Sequence, residues 1–409
     1  MNDLELKENF YICIAGKNNI AVDTLDYLLN NKKFPKNKIL VICNKNDKGI
    51  NTAQRSLKLF AKNNDIKIVT LEDVYHEQNL LFLSLEFDRI VEPALFKTKY
   101  LYNIHFSLLP KYKGMYTSAM PLLLGETQSG VTFHEIDKGI DTGKIIFQEH
   151  FQIDPKDTCK ELYIKCIYTG TKLIKKVLDF ILSGKNLPEA IMQNPYKSTY
   201  FSKKAIDYKN LKVDLNQTAQ NICNQIRAYN YREYQIPKIF NFNISWAEIT
   251  NITSKEKPGS IVWKDNERIV IASIDYDVMM FIDKFNDVLK MCYMGDLDGL
   301  KQIPNLNIYL NQSEKGGWSP LMIATRLGYY DMAMYLLYSG ADINALNWEG
   351  VNLLMCAKDG FCKTGDSRLF ELFYKMGIKK EKKDYNNKDL IYYCKAQKIP
   401  QIGNFIIYT

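Results

Sequence analysis

The segment Asn103-Ile-His-Phe-Ser-Leu-Leu-Pro110 sets an amide and an imidazole two residues apart. At strand spacing Asn103 and His105 leave the same face, because side chains alternate with period two. Further along, Ser129-Gly-Val-Thr-Phe-His-Glu-Ile-Asp-Lys-Gly-Ile-Asp-Thr-Gly143 delivers Asp141 on a turn between Gly139 and Gly143, where its carboxylate can face inward and orient a histidine. An amide donor, a base and an orienting carboxylate suit acyl transfer to an amine. The amine must attack while neutral, and the carbonyl oxygen becomes an oxyanion to which Asn103 can donate. His105 can remove the extra proton from the attacking nitrogen or donate to the oxygen; both roles stay open. His134 lies in the second segment but, at strand spacing, apart from Asp141, which suits packing or hydrogen bonding. His76 and His150 read as surface residues.

These side chains need a scaffold. Phe10–Ala15, Lys38–Cys43, Ile66–Val69 and Leu80–Ser84 are apolar runs of strand length. Stretches long enough for helices, Ile20–Leu29 and Asn51–Asn63, lie between the first three. That alternation predicts a parallel sheet covered by helices. Gly16-Lys-Asn-Asn-Ile20 after the first strand has a single glycine, so no dinucleotide fingerprint is read there. From Thr158 to Ser183 apolar residues recur at helical spacing and predict one long amphipathic helix, closed by a turn at Gly184–Pro188. Between Gly259 and Ile282 successive short strands predict a small β-rich module.

Farther on the chain repeats itself. Gly317-Trp-Ser-Pro-Leu-Met-Ile-Ala324 and Gly350-Val-Asn-Leu-Leu-Met-Cys-Ala357 lie 33 residues apart, and Leu310-Asn311 and Ile343-Asn344 keep that spacing. This resembles the ankyrin family, with Leu336-Leu-Tyr-Ser-Gly-Ala-Asp-Ile-Asn344 matching its helix and turn and the flanking units degenerate as caps. The expected organisation is α/β: a Rossmann-like catalytic domain with a parallel-rich sheet (1–200), a small β-rich, OB-like module with a linker helix (201–282), and all-α ankyrin repeats (283–409).

Composition agrees with several domains. A chain of 409 residues exceeds what one core usually serves, and 46% apolar with 24% charged residues is an ordinary globular balance. The net charge of +8 comes from interleaved charges of both signs, so a polyanionic partner is permitted without being demanded. Nine cysteines form no CxxC or Cys/His cluster, which argues against a zinc site or a disulfide framework. Residues 1–8 lack the pattern of a signal peptide and no window is apolar enough to cross a bilayer, so the expected place is the cytoplasm, away from membranes.

The two chemistry-bearing segments resemble the folate-dependent formyltransferases, whose N-x-H-x-S-L-L-P and S-G-V-T…D-x-G-x-D-T-G stretches occur here in order. The resemblance implies Asn103, His105 and Asp141 as the catalytic set, 10-formyltetrahydrofolate as co-substrate, and no metal. It also implies that the loop Leu85–Pro93 and the segment leading into Asp141 hold the pterin largely through backbone groups, with Leu85, Phe87, Ile90, Val91, Asp137 and Ile140 as contacts. Within that family, roughly the first 280 residues resemble the sugar N-formyltransferases. The appended ankyrin array resembles the enzymes acting on dTDP-linked 3-amino-3,6-dideoxyhexoses, which supply formylated sugars for lipopolysaccharide O-antigen.

The acceptor implied is thus a dTDP-amino sugar; a 4-amino sugar or an aminoacylated methionyl-tRNA are the alternatives. The basic and aromatic stretches Tyr200–Asp207 and Ile226–Pro237 supply Tyr200, Lys203, Lys204, Arg227, Tyr229, Arg232 and Tyr234 as acceptor contacts, or else a solvated face with core tyrosines. A nucleic-acid partner is disfavoured by the mixed charge of the repeats, and a homodimer is compatible with the resemblance. A binding protein with a vestigial enzymatic half is opposed by the presence of all three catalytic residues. The array's ordinary role is a concave protein-binding surface. Trp318, Tyr329 and Trp348 at or near turns, with Arg326, offer an auxiliary nucleotide site instead, or simply pack between repeats.

Overall fold

The computed structural model describes residues 10–396, so the residues 1–8 read for a signal lie outside the described residues. The chain divides into two compact units, 1–282 and 283–409.

In the first unit the chain runs β1 (Tyr11–Gly16), α1 (Asn18–Asp26), β2 (Ile39–Cys43), α2 (Leu57–Asn63), β3 (Lys67–Ile68), β4 (Leu80–Leu85) and β5 (Leu101–His105). It continues through β6 (Lys113–Gly114), α3 (Met120–Leu123), β7 (Gln128–Glu135), β8 (Ile145–Gln152), α4 (Cys159–Leu182), β9 (Tyr200–Phe201) and α5 (Ala219–Ala228). Seven strands form one sheet in the order β3-β2-β1-β4-β5-β7-β8. The first five are parallel, as the alternation of strand and helix predicts, whereas β7 pairs antiparallel with β5 and β8 with β7. The antiparallel pair is a hairpin whose connection, 136–144, carries Asp141 back across the sheet.

Ile12, Cys13, Ile14 and Ala15 of β1 are fully buried, as a central parallel strand covered on both faces requires. The expected helix Asn51–Asn63 is shorter. Ser56 caps α2 by accepting from the Leu59 N–H, and Asn51 accepts from the Ser56 N–H, so the residues before Ser56 are drawn into a polar loop. The long helix forms as its spacing predicts, with Thr158 and Glu161 closing a capping box at its start. Its buried stripe of Cys166, Leu173, Ile174, Val177 and Ile181 packs on the sheet, while Leu162 joins a second cluster with Tyr112 and Tyr231.

The β module is an antiparallel sheet of β10 (Lys238–Ile239), β11 (Phe242–Ile249), β12 (Ile261–Lys264), β13 (Arg268–Ile271) and β14 (Val278–Ile282), ordered β10-β11-β14-β13-β12. α5 covers it with Ala219, Ile222, Cys223 and Ile226.

The second unit is helical: α6 (Phe285–Met294), α7 (Leu297–Lys301), α8 (Pro320–Leu327), α9 (Tyr330–Tyr338), α10 (Leu353–Thr364), α11 (Arg368–Lys375) and α12 (Leu390–Ala396) around one apolar core. The repeat shows in its caps: Ser319 accepts from the Met322 N–H, and Asn352, 33 positions on, accepts from the Met355 N–H. Among the described residues no helix is long and apolar enough to cross a membrane, and no group of three or more His, Cys, Asp or Glu is placed to hold a metal.

Candidate active site

Asn103 and His105 share one face at the C-terminal end of β5. The antiparallel register sets Asn103 opposite His134 and His105 opposite Thr132. His134 Nδ1 lies 2.7 Å from the Glu135 carbonyl oxygen. A carbonyl only accepts, so Nδ1 carries the proton and Nε2 presents a lone pair. Asn103 Nδ2 donates to that lone pair at 3.0 Å, which fixes which way the amide faces. Its second N–H points toward Asp141 Oδ1 at 3.4 Å, a long contact that leaves this donor available to a better acceptor.

The same logic assigns His105. Its Nε2 lies 2.8 Å from the Tyr112 carbonyl oxygen and must hold a proton, leaving Nδ1 as the basic nitrogen, 3.4 Å from Asp141 Oδ1. Burial lowers the His105 pKa, against the raising influence of Asp141 and the Tyr112 carbonyl. Asp141 sits in the left-handed region (φ 55), and its Oδ2 accepts the Gly114 N–H at 2.8 Å. Burial works to raise its pKa, but the positive charge that the neighbouring imidazoles carry when protonated, together with that N–H, outweighs it and holds the carboxyl well below the usual range. The loop is tied down by Gln193, whose amide donates to the Asp141 and Gly143 carbonyls at 2.8 and 2.7 Å. Asn103, His105 and Asp141 thus meet. What arranges them besides the motif residues is the Tyr112 carbonyl, Gly114 and Gln193, while His134 takes the hydrogen-bonding role expected of it. Only His134 stood inside a quoted motif.

Of the residues implied for the pterin, Leu85 and Val91 are buried, Ile90 and Ile140 are 72% and 44% exposed, and Phe87 packs with Ile136 on one core, which brings the two loops together. Asp137 shapes its own loop by accepting from Gly139 N–H and Thr142 Oγ1.

Among the acceptor residues, Tyr200 falls beside the centre. β9 pairs with β6, and a Cβ on Gly114 (φ +84) would lie 2.4 Å from the Phe201 carbonyl and 2.8 Å from the Tyr200 ring. Lys203 and Lys204 are exposed, Arg232 and Tyr229 are half-buried, and Tyr234 is 67% exposed with its ring 4.7 Å from that of Tyr231. Arg227 is engaged within the protein. Its guanidinium donates to the Pro155 carbonyl at 3.0 Å, to those of Asp154 and Asp157 at 3.4 Å, and to Asn224 Oδ1 at 2.9 Å. It is spent holding the turn before α4, because a fork of donors serves main-chain oxygens as well as phosphates.

In the second unit, the Tyr329 ring lies over Gly295 and its hydroxyl reaches the Tyr293 carbonyl, while the Trp348 ring lies over Gly317 and that of Trp318 over Gly316; all three are half-buried. Trp318 is half-buried with the exposed Arg326 guanidinium 4.7 Å from its ring centre.

At the end of a parallel-rich sheet the chain thus gathers an amide donor, an imidazole and a carboxylate, a set suited to formyl transfer. Residues 9–178 match the family described as Formyl transferase, and 316–348 match Ankyrin repeat. An N-formyltransferase from Helicobacter canadensis, solved with folinic acid and dTDP-3-aminofucose, is 42% identical with a TM-score of 0.62, covering 67% of this chain and all of that one. WlaRD, a sugar 3N-formyltransferase solved with dTDP and 5-N-formyl-THF, is also 42% identical with a TM-score of 0.62, over 68% of this chain and 98% of that one. The methionyl-tRNA formyltransferase of Thermotoga maritima is 27% identical over 70% of this chain and 95% of its own length. The bifunctional polymyxin resistance protein ArnA of Wigglesworthia glossinidia brevipalpis is 34% identical over 44% of this chain, which spans only 28% of that protein. The chain belongs to the sugar N-formyltransferases and is a folate-dependent formyltransferase.

Proposed function

We propose that this enzyme moves the formyl group of 10-formyltetrahydrofolate to the amine of a dTDP-linked 3-amino-3,6-dideoxyhexose, supplying a formylated sugar for lipopolysaccharide. The observation that carries the reading is the convergence of Asn103, His105 and Asp141 in a chain 42% identical to an enzyme crystallised with dTDP-3-aminofucose. The neutral amine attacks the formyl carbon, a C–N bond forms, and the carbonyl electrons move onto oxygen. Asn103 Nδ2, aimed by His134, donates to that oxyanion. His105 Nδ1 takes the proton from the attacking nitrogen, and the imidazolium so formed faces the Asp141 carboxylate. Expulsion of the folate nitrogen re-forms the carbonyl, with the proton passing to the leaving nitrogen. Burial favours the neutral base beforehand, and Asp141 stabilises it once charged. A formyl-transfer assay over dTDP- and UDP-linked 3- and 4-amino sugars and methionyl-tRNA tests this; turnover of the tRNA alone overturns it.

A second reading concerns the ankyrin unit, where the Arg326–Trp318 pair supports an auxiliary nucleotide site. Calorimetry with dTDP should then show two sites per chain, one of which vanishes in Trp318→Ala. One site, unchanged by that substitution, leaves the array as a surface for a protein partner.

A further inference from the structure

The strand order places β2 and β3 on one side of β1, and β4 and β5 on the other. The C-terminal ends of β1 and β4 therefore border the crevice where the winding reverses, the place where open α/β sheets take ligands. Two side chains enter there. Asn18 follows β1 by two residues and Glu86 follows β4 by one, and both sit in the left-handed region, at φ 63 and 56. Glutamate seldom adopts that conformation. Here it is held by a close approach, since a Cβ on Gly16 would lie 1.8 Å from the Leu85 carbonyl, and by Asn44, whose amide donates to the Glu86 carbonyl at 2.8 Å.

The held carboxylate is hydrogen-bonded by neutral side chains, with the Lys17 ammonium acting on it through space. Tyr163 Oη lies 2.9 and 3.0 Å from its two oxygens, and Asn18 Nδ2 donates to Oε2 at 3.2 Å and to Tyr163 Oη at 2.8 Å. Tyr163 has one proton and Asn18 spends one N–H on the phenol, so two donors meet a group with about four acceptor positions. The aromatic side continues outward, with the Tyr163 ring 5.9 Å from Tyr231 and Tyr231 beside the exposed Tyr234. The chemistry is on the neighbouring strand: Ser84 pairs with Asn103 and Leu85 with Ile104, so Glu86 leaves β4 next to the end of β5 that carries His105.

We propose that Glu86, set by Asn18 and Tyr163, is the specificity subsite that accepts a hydrogen bond from a ring hydroxyl of the acceptor hexose. Spare acceptor positions on a carboxylate bind hydroxyl donors, and the neighbouring rings offer a face to the apolar side of a sugar. A phosphate is excluded by like charge. The reacting amine does not belong there, because a carboxylate would keep it protonated and unable to attack.

The proposal rests on a dTDP-amino sugar being the acceptor. Calorimetry should be run with dTDP-3-aminofucose, with dTDP alone, and with analogues of the amino sugar lacking one ring hydroxyl at a time. In Glu86→Gln the Kd for the amino sugar should rise tenfold or more while that for dTDP is unchanged. In the wild type one deoxy analogue should lose a similar factor, and in Glu86→Gln that analogue should lose nothing further. Equal weakening of dTDP and amino sugar, or wild-type affinity for the amino sugar in Glu86→Gln, overturns the proposal. The wild-type arm decides even if the variant fails to fold, since full affinity for every deoxy analogue also overturns it. Failure of the wild type to bind dTDP-3-aminofucose while it formylates another acceptor class refutes the acceptor reading, and this proposal with it.

Discussion

Removing the Asn103 amide should separate catalysis from stability in one side chain. The free N–H at 3.4 Å from Asp141 has no good acceptor until an oxyanion forms, so its contribution belongs to the transition state. Loss of one such donor costs about 3 kcal/mol, or a hundred- to thousandfold in kcat. Both KM values should stay near wild type, because neither ground state uses the bond. The other N–H serves His134, which is 2% exposed, and Asn103→Ala leaves its Nε2 without a donor inside the protein, at about 1–3 kcal/mol of folding stability. Asn103→Asp sharpens the test. Its carboxylate would face the His134 lone pair and stand close to Asp141, so like charge raises its pKa; the donor returns only on protonation, and activity should be bounded above by that pKa as well as below by the His105 limb, where the wild type has only the lower bound. Single-turnover kinetics with thermal unfolding read both effects. A folded Asn103→Ala protein within tenfold of wild-type kcat would refute the assignment of the oxyanion donor.

Three further outcomes follow from the geometry. His105 acts neutral and its folded pKa lies below the ordinary 6.5, so kcat/KM should fall with decreasing pH along a limb below 6.5; Asp141 raises that pKa, hence Asp141→Asn should lower the rate and move the limb lower still, and a limb above 6.5 would contradict the base role. Gly114→Ala places a Cβ against the Phe201 carbonyl in a left-handed residue whose N–H orients Asp141, so kcat should drop at least tenfold with folate binding retained; a wild-type rate would show that this N–H is dispensable. Arg227→Ala should lower the melting temperature by a few degrees through loss of the 154–157 turn, at about 2 kcal/mol, and leave the acceptor KM unchanged; the converse result would restore Arg227 to the acceptor site.

How far the site is legible in the sequence depends on whether its geometry is local. Asn103 and His105 are two apart on one strand, so the period of the strand puts them together, and the glycines flanking Asp141 announce the turn that carries it. The partner of Asn103 is not local. His134 meets it only through the antiparallel pairing of β5 with β7, which an alternation of strand and helix does not foretell, and strand spacing alone set His134 apart from the chemistry. Main-chain partners such as the Tyr112 carbonyl carry no residue signature at all. Arg227 shows that residue type does not fix a partner: its guanidinium holds main-chain carbonyls here, and the same fork would suit a phosphate. β10, at two residues, is too short to show a period, whereas β11 carries one, with Phe242, Ile244 and Trp246 alternating with Asn243 and Ser245. Glu86 combines these difficulties. It lies in the loop read as backbone contacts for a pterin, yet its left-handed main chain directs its carboxyl toward Asn18 and Tyr163, a direction set by the close approach of β1 and β4. A residue whose φ is forced by packing between distant strands is invisible to any local rule, which is why the side chain best placed to read the sugar was missing from the acceptor contacts inferred from charge and aromaticity.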